Sequence, residues 1–208
     1  MVELTTTTTV QCRSRQQALN FCDEIVGTDP AEKAILFDSA ARFVPDGYIL
    51  EIGADLGQSA IPMAIASKMN SLGKVISIDI DRGRPDNFWN RDGRTQSGGN
   101  RWKLFIENLV LAGVQDWVIP IGADSMEAWE LLDVKLRMLY IDGNHDRPHT
   151  ENDILRYSKM LKPGGFIFVH DYWEKETGTY EVVNKLIRDS NGFRNFYVVN
   201  ILACAQKI

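Results

Sequence analysis

The sequence predicts an α/β domain built on a mostly parallel sheet with helices on both faces. Three observations carry that expectation. Short apolar runs alternate with helical patterns from residue 48 onward, and such alternation implies βαβ crossovers. Several of the runs end in a carboxylate or a glycine turn: ILEIGADLG (49–57), VISIDI (75–80), RMLYID (137–142) and FIFVHD (166–171). Ligands of an open parallel sheet lie beyond the carboxyl ends of its strands, so these acids converge on one small-molecule site.

The elements follow in order. Amphipathic patterns over 13–26 and 30–44 predict two N-terminal helices, the second opened by Asp29-Pro30, since proline fits a first helical turn. YILEI (48–52) reads as a strand and 58–69 as a helix, with Pro62 near its start. A strand at 74–80 comes next. Trp102, Phe105, Ile106 and Leu109 have helical spacing and place a helix over 101–113. A short strand (117–121), a short helix (124–132), a strand (137–141) and a helix (148–161) follow. Then come a strand (165–170), a helix (178–189) and a final strand pair in FYVVNILACAQKI. That last pair leaves no room for a crossover helix and must be antiparallel.

Two segments stand outside this rhythm. Residues 1–12, with five consecutive threonines, read as a flexible leader. Residues 81–100 hold four glycines and four arginines with little apolar periodicity, a pattern shared by lid-like insertions and tolerated surface loops. The remainder, 13–208, reads as a single domain.

Bulk properties narrow the function. At 208 residues, 44% hydrophobic and 25% charged, the chain suits one full-sized globular domain. A net charge of −5 argues against nucleic acid as a partner. No apolar run approaches the ~20 residues that span a bilayer. The first residues lack the apolar segment of a secretory signal. Cys12, Cys22 and Cys204 have no metal-ligand spacing and suit a reducing compartment. The expectation is a cytoplasmic enzyme acting on a small-molecule acceptor, with neither nucleic acid nor membrane as partner. A homo-oligomer is compatible with it.

EIGADLG leaves a strand and enters a helix. Gly53 and Gly57 permit a tight turn and close approach of a ligand. The spacing is not G-x-G-x-x-G: Asp55 stands where a dinucleotide loop has its middle glycine, and an acid there repels a pyrophosphate. A cofactor without phosphates fits better, with Asp79 at the next strand end placed to accept ribose hydroxyls.

In these motifs the chain resembles the class I S-adenosylmethionine-dependent methyltransferases. EIGADLG resembles their first motif with Glu51 as its acidic opener, VISIDI supplies the ribose acid Asp79, GADS (122–125) resembles the adenine segment, and LKPGGFIFVHD (161–171) resembles the turn and fifth strand. The resemblance implies a Rossmann-like fold with a seven-stranded sheet of order 3-2-1-4-5-7-6, its last strand antiparallel. It further implies a cofactor site of Glu51, Gly53, Ala54, Gly57, Ser59, Asp79, Ile80, Asp124, Ser125 and Asp142.

Asp142 and Asp171 come from adjacent strand ends. Paired carboxylates suit a hard divalent cation such as Mg²⁺ or Mn²⁺, which could grip vicinal hydroxyls and acidify one of them. His145, three residues after Asp142, is the candidate base. His170 is either a third ligand beside Asp142 and Asp171, favouring Mn²⁺ or Fe²⁺ over Mg²⁺, or a group packed behind the site. Asp142-Gly-Asn-His145 is similar to the Asp-x-x-His of metal-dependent macrolide-sugar O-methyltransferases, relatives of the cephalosporin-hydroxylase group; His170-Asp171 departs from their acidic pair. The leading expectation is a metal-assisted O-methyltransferase acting on a sugar or polyhydroxylated small molecule. The alternatives are a metal-independent small-molecule methyltransferase and a nicotinamide oxidoreductase. Phe88, Trp89, Tyr172 and Trp173 are candidates for an acceptor pocket or for packing.

Overall fold

The apolar runs form seven strands: β1 (Tyr48–Ile52), β2 (Val75–Asp79), β3 (Val118–Gly122), β4 (Leu136–Ile141), β5 (Leu161–Val169), β6 (Phe193–Val199) and β7 (Leu202–Lys207). The computed structural model describes Cys12 and residues 14–25, 29–42, 45–80, 101–173 and 178–208. Apart from Cys12, the expected leader lies outside the described residues, as do the whole of the 81–100 insertion and its Phe88 and Trp89. The sheet runs β3-β2-β1-β4-β5-β7-β6. The first five of these strands are parallel, and β7 is antiparallel to both β5 and β6. This is the order expected from the sequence.

The central strands are apolar on both faces because helices cover both. Ile49, Met138, Tyr140 and Phe168 face one core. Leu50, Leu139, Ile141 and Ile167 face the other. This alternation is the two-residue period of a strand, here buried on each side. The first core packs against α1 (Arg15–Ile25), α2 (Pro30–Ala40), α3 (Ala60–Met69) and α4 (Arg101–Leu111) through Cys22, Leu36, Ile61 and Phe105. The second packs against α5 (Ser125–Ala128), α6 (Arg147–Tyr157) and α7 (Thr179–Val183) through Ala128, Ile154 and Val183.

Several boundaries differ from expectation for local reasons. α2 starts at Pro30 as expected, because Asp29 caps it, accepting from the N–H groups of Ala31 (2.9 Å) and Glu32 (3.2 Å), but it ends at Ala40 rather than at 44. β5 begins at Leu161 rather than at 165. Leu161 already pairs with Leu136, and the register shifts before Met138 meets Phe166, which absorbs the Pro-Gly-Gly stretch. The helix expected over 124–132 ends at Ala128 and continues as a 3₁₀ turn, Trp129–Leu131. The helix expected over 178–189 is α-helical only to Val183 and then widens into a π turn, Asn184–Arg188. None of the described helices is long and apolar enough to cross a membrane.

Candidate active site

The turn after β1 is built around two backbone needs. Gly53 has φ +90°, and a Cβ there would lie 2.1 Å from the Asp142 carbonyl oxygen. Glycine at this position therefore lets the ends of β1 and β4 meet. Gly57 has φ +91° and turns the chain toward α3. Asp79, at the end of β2, clasps the turn: its Oδ2 accepts from the N–H groups of Ala54 and Asp55, each at 2.8 Å. Asp79 thus shapes the loop. Asp55 pairs with Arg101. The acid that argues against a pyrophosphate is therefore partly neutralised, and the turn rejects phosphates less strongly than the bare sequence indicates.

Glu51 lies behind this turn. It is wholly buried and receives the hydroxyls of Ser59 and Ser77, one on each oxygen. Burial pushes its carboxyl up to about 8, with the two hydroxyls offsetting part of that rise. Glu51 and Ser59 therefore brace the turn from beneath. The folded state keeps a proton on Glu51 between its ordinary value of 4.5 and about 8, where the unfolded chain has lost it. Its contribution to stability is full below 4.5 and is lost as pH rises toward 8. Glu51→Gln should remove that dependence. Urea unfolding at pH 5.5 and pH 8 should show the variant gaining on wild type by on the order of 3 kcal/mol across the interval. Parallel pH profiles for the two proteins would show that Glu51 is ionised throughout.

The other expected cofactor residues spread along the same sheet edge. Ala54 is buried in the turn and Ile80 is exposed. Asp124 caps α5, accepting from the Met126 N–H at 2.8 Å, and the Ser125 carbonyl accepts from the Tyr157 hydroxyl at 2.7 Å. The Ala123 N–H donates to the Asp79 carbonyl at 3.0 Å, so the ends of β2 and β3 stand side by side. A nucleoside lying across them would meet Asp79 and the 124–125 segment together. Asp79→Ala should weaken S-adenosylhomocysteine binding by about 1–3 kcal/mol, since charge-assisted hydrogen bonds are lost. Unchanged affinity in titration calorimetry would take Asp79 out of the cofactor site.

The ends of β4 and β5 carry the densest chemistry. Asp142 follows β4, and His170-Asp171 follows β5, with Asp171 held at φ +53°. His170 Nδ1 lies 3.3 Å from Asp142 Oδ1 and 3.2 Å from Asp171 Oδ2. His145 Nε2 lies 3.1 Å from that Asp171 oxygen and 3.6 Å from that Asp142 oxygen. All four residues expected from the sequence are therefore brought together, and His145 turns inward toward the carboxylates. Burial raises the Asp142 carboxyl, but contacts from His145, His170 and Tyr140 outweigh it and hold the group well below the usual carboxylate range. Burial likewise disfavours charge on His170, and its contacts with Asp142, Asp171 and Glu32 overcome this, lifting it to about 12.

Two members of the cluster escape sequence reasoning. The Tyr140 hydroxyl donates to Asp142 Oδ2 at 2.9 Å. The strand period offers a signal, because residues two apart share a face. Glu32 on α2 reaches His170 Nε2 at 3.2 Å across 138 residues of sequence, and no local pattern announces it. Both line a cavity of about 470 Å³ together with Gln58, Asp142, His170 and Asn200, a size in the range of small-molecule sites. Tyr172 is not among the lining groups. Its ring centroid lies 5.0 Å from that of Tyr180 and 5.7 Å, edge-on, from that of Phe196, and its hydroxyl donates to Asn184, so it packs against the second core. Trp173 is largely exposed.

The residues fit a divalent cation on one further observation. Asp142, His170 and Asp171 each offer a donor atom within 4.8 Å of the others. His170 Nδ1 is buried and makes no hydrogen bond, although two carboxylate oxygens lie within 3.3 Å. A cation held by these three residues would take its nitrogen donor from this atom.

A sheet of this order, with a glycine turn after β1 and an acid closing β2, defines a class I S-adenosylmethionine-dependent methyltransferase. Residues 50–172, more than half of the chain, match the family described as a methyltransferase domain, and the chain belongs to that family. The nicotinamide reading falls away with that match. Solved structures show the same fold at low identity. The O-methyltransferase NovP superposes with a TM-score of 0.71 at 13% identity, over 88% of this chain and 82% of that one. TomG from Streptomyces achromogenes, an O-methyltransferase involved in tomaymycin synthesis and bound to S-adenosylmethionine, gives 0.64 at 17% identity over 96% and 91%. An O-methyltransferase from Bacillus cereus in complex with S-adenosylhomocysteine gives 0.62 at 15% identity over 95% and 92%.

Proposed function

We propose that this methyltransferase transfers a methyl group to a hydroxyl of a sugar or other polyhydroxylated small molecule, assisted by a divalent cation. The observation that carries the reading is the convergence of Asp142, His170 and Asp171 with His145, beside an open cavity that Asp142 and His170 line. S-adenosylmethionine would supply an activated methyl group, and the cation would acidify a hydroxyl that it binds. The chain's own residues do the rest. Asp142, His170 and Asp171 would hold the cation. Asp79 and the turn from Gly53 to Gly57 would orient the cofactor, with Glu51 and Ser59 bracing the turn. His145 would remove the hydroxyl proton as the methyl transfers. Positioning supplies most of the acceleration, because the methyl group arrives already activated. The O-methyltransferase neighbours NovP and TomG support the choice of a hydroxyl acceptor.

A second reading drops the cation. His170 lifted to about 12 is a positive charge set between Asp142 and Asp171, and it could balance them alone. The test of the leading reading is transfer of a labelled methyl from S-adenosylmethionine to a panel of sugars and vicinal diols, with amines and thiols as competitors. Label recovered as a methyl ether supports it. Label found on nitrogen or sulfur would overturn it.

A further inference from the structure

We infer that Glu32 is a positioning residue for the cation site: it holds His170 through the ring nitrogen that faces away from Asp142 and Asp171. The inference rests on the cation reading above and extends the site beyond the segment that matches the family, since Glu32 precedes residue 50.

The geometry has three parts. His170 Nε2 lies 3.2 Å from Glu32 Oε2. A carboxylate accepts hydrogen bonds and donates none, so Nε2 carries the hydrogen in this pair. A neutral imidazole protonated on Nε2 presents its lone pair on Nδ1, the buried nitrogen that makes no hydrogen bond and lies within 3.3 Å of an oxygen of both Asp142 and Asp171. Glu32 therefore selects the tautomer that ligates and fixes the plane of the ring. Metal-binding histidines commonly take a carboxylate partner on the second nitrogen for this reason.

Glu32 is itself held from two sides. Its Oε1 accepts from the Ile201 N–H at 3.4 Å, in the turn between β6 and β7. Its own N–H is capped by Asp29, whose Oδ1 also accepts from the Asn200 amide at 2.8 Å. The start of α2 and the β6–β7 turn thus close on each other, and Glu32, which they clamp, is 9% exposed. A side chain so restrained gives His170 one orientation rather than a range of rotamers.

The test is Mn²⁺ binding to the full chain, read by electron paramagnetic resonance and by calorimetry, with no acceptor or turnover involved. Glu32→Ala should weaken Mn²⁺ affinity about 10- to 100-fold, the usual loss when such a partner is removed. Glu32→Gln keeps an acceptor oxygen for Nε2–H and should recover most of that loss. The decisive measurement is a double-mutant cycle. In a His170→Ala background, Glu32→Ala should add no further loss, because the residue through which it acts is gone. Equal additional loss in that background would make Glu32 a purely structural clamp and overturn the inference. S-adenosylhomocysteine affinity reports whether each variant keeps its fold and should not change. If wild type binds Mn²⁺ and Glu32→Ala binds it as tightly, the inference about Glu32 fails alone. If wild type binds no Mn²⁺, the cation reading fails with it.

Discussion

Treatment with EDTA is expected to stop methyl transfer while leaving S-adenosylhomocysteine binding unchanged, and added Mn²⁺ is expected to restore the rate. The separation follows from where the groups lie. The expected cofactor contacts run from the β1 turn across Asp79 to Asp124, whereas the cation donors belong to the ends of β4 and β5. Asp142 is where the two regions touch, since Gly53 closes directly against its carbonyl. Mn²⁺ should restore activity better than Mg²⁺ at equal concentration. One of the three donors is an imidazole, which suits Mn²⁺ and Fe²⁺ better than the strictly oxygen-preferring Mg²⁺. Without a cation, the charged His170 is drawn toward the same carboxylates. Cation binding must then displace a proton from Nδ1, so Mn²⁺ affinity should rise with pH. Full activity in chelator would establish the second reading, in which His170 alone balances Asp142 and Asp171.

The central strands were legible because parallel strands buried on both faces read as largely apolar runs, whereas their order came from the resemblance to the methyltransferase family. MLYI (138–141) is such a run, and β4 has every residue buried, including Arg137, whose guanidinium donates to the carbonyls of Ala40 and Gly47. The strand-end acids were legible for a related reason: each closes a largely apolar run, Asp142 directly after β4, Asp171 one residue past His170 after β5, and Asp79 as the last residue of β2. Boundaries failed where backbone geometry, not side-chain pattern, decides. Gly164 and Gly165 look like a loop, yet β5 passes through them by shifting register. The π turn after Val183 leaves no trace in composition. Glu51 was read as a cofactor residue from its motif, and the fold sets it beneath the turn between two serines, one of them far along the chain. Long-range pairing of this kind has no local signature. Glu32 with His170 and Asp55 with Arg101 are hidden for the same reason.

His145→Ala is expected to lower kcat by about 10²–10⁴-fold, the usual worth of a positioned general base. Affinity for S-adenosylhomocysteine should stay within error, because the residue sits on the loop after β4 and faces Asp142 and Asp171. The same geometry raises a rival account. With Nε2 3.1 Å from Asp171 Oδ2, His145 could act only by orienting that carboxylate. The two accounts separate on Mn²⁺ affinity. A base that takes a proton from the acceptor can be removed without loosening the cation, whereas a residue that orients a ligand cannot. Exogenous imidazole adds a second discriminator. It should restore part of the rate to His145→Ala if a proton acceptor is missing, and nothing if Asp171 has been misplaced. A strong cation can also acidify the hydroxyl enough to make a base dispensable. In that event His145→Ala would keep nearly the wild-type rate, activation would belong to the cation alone, and His145 would be left as a neighbour of the carboxylates rather than a partner in the reaction.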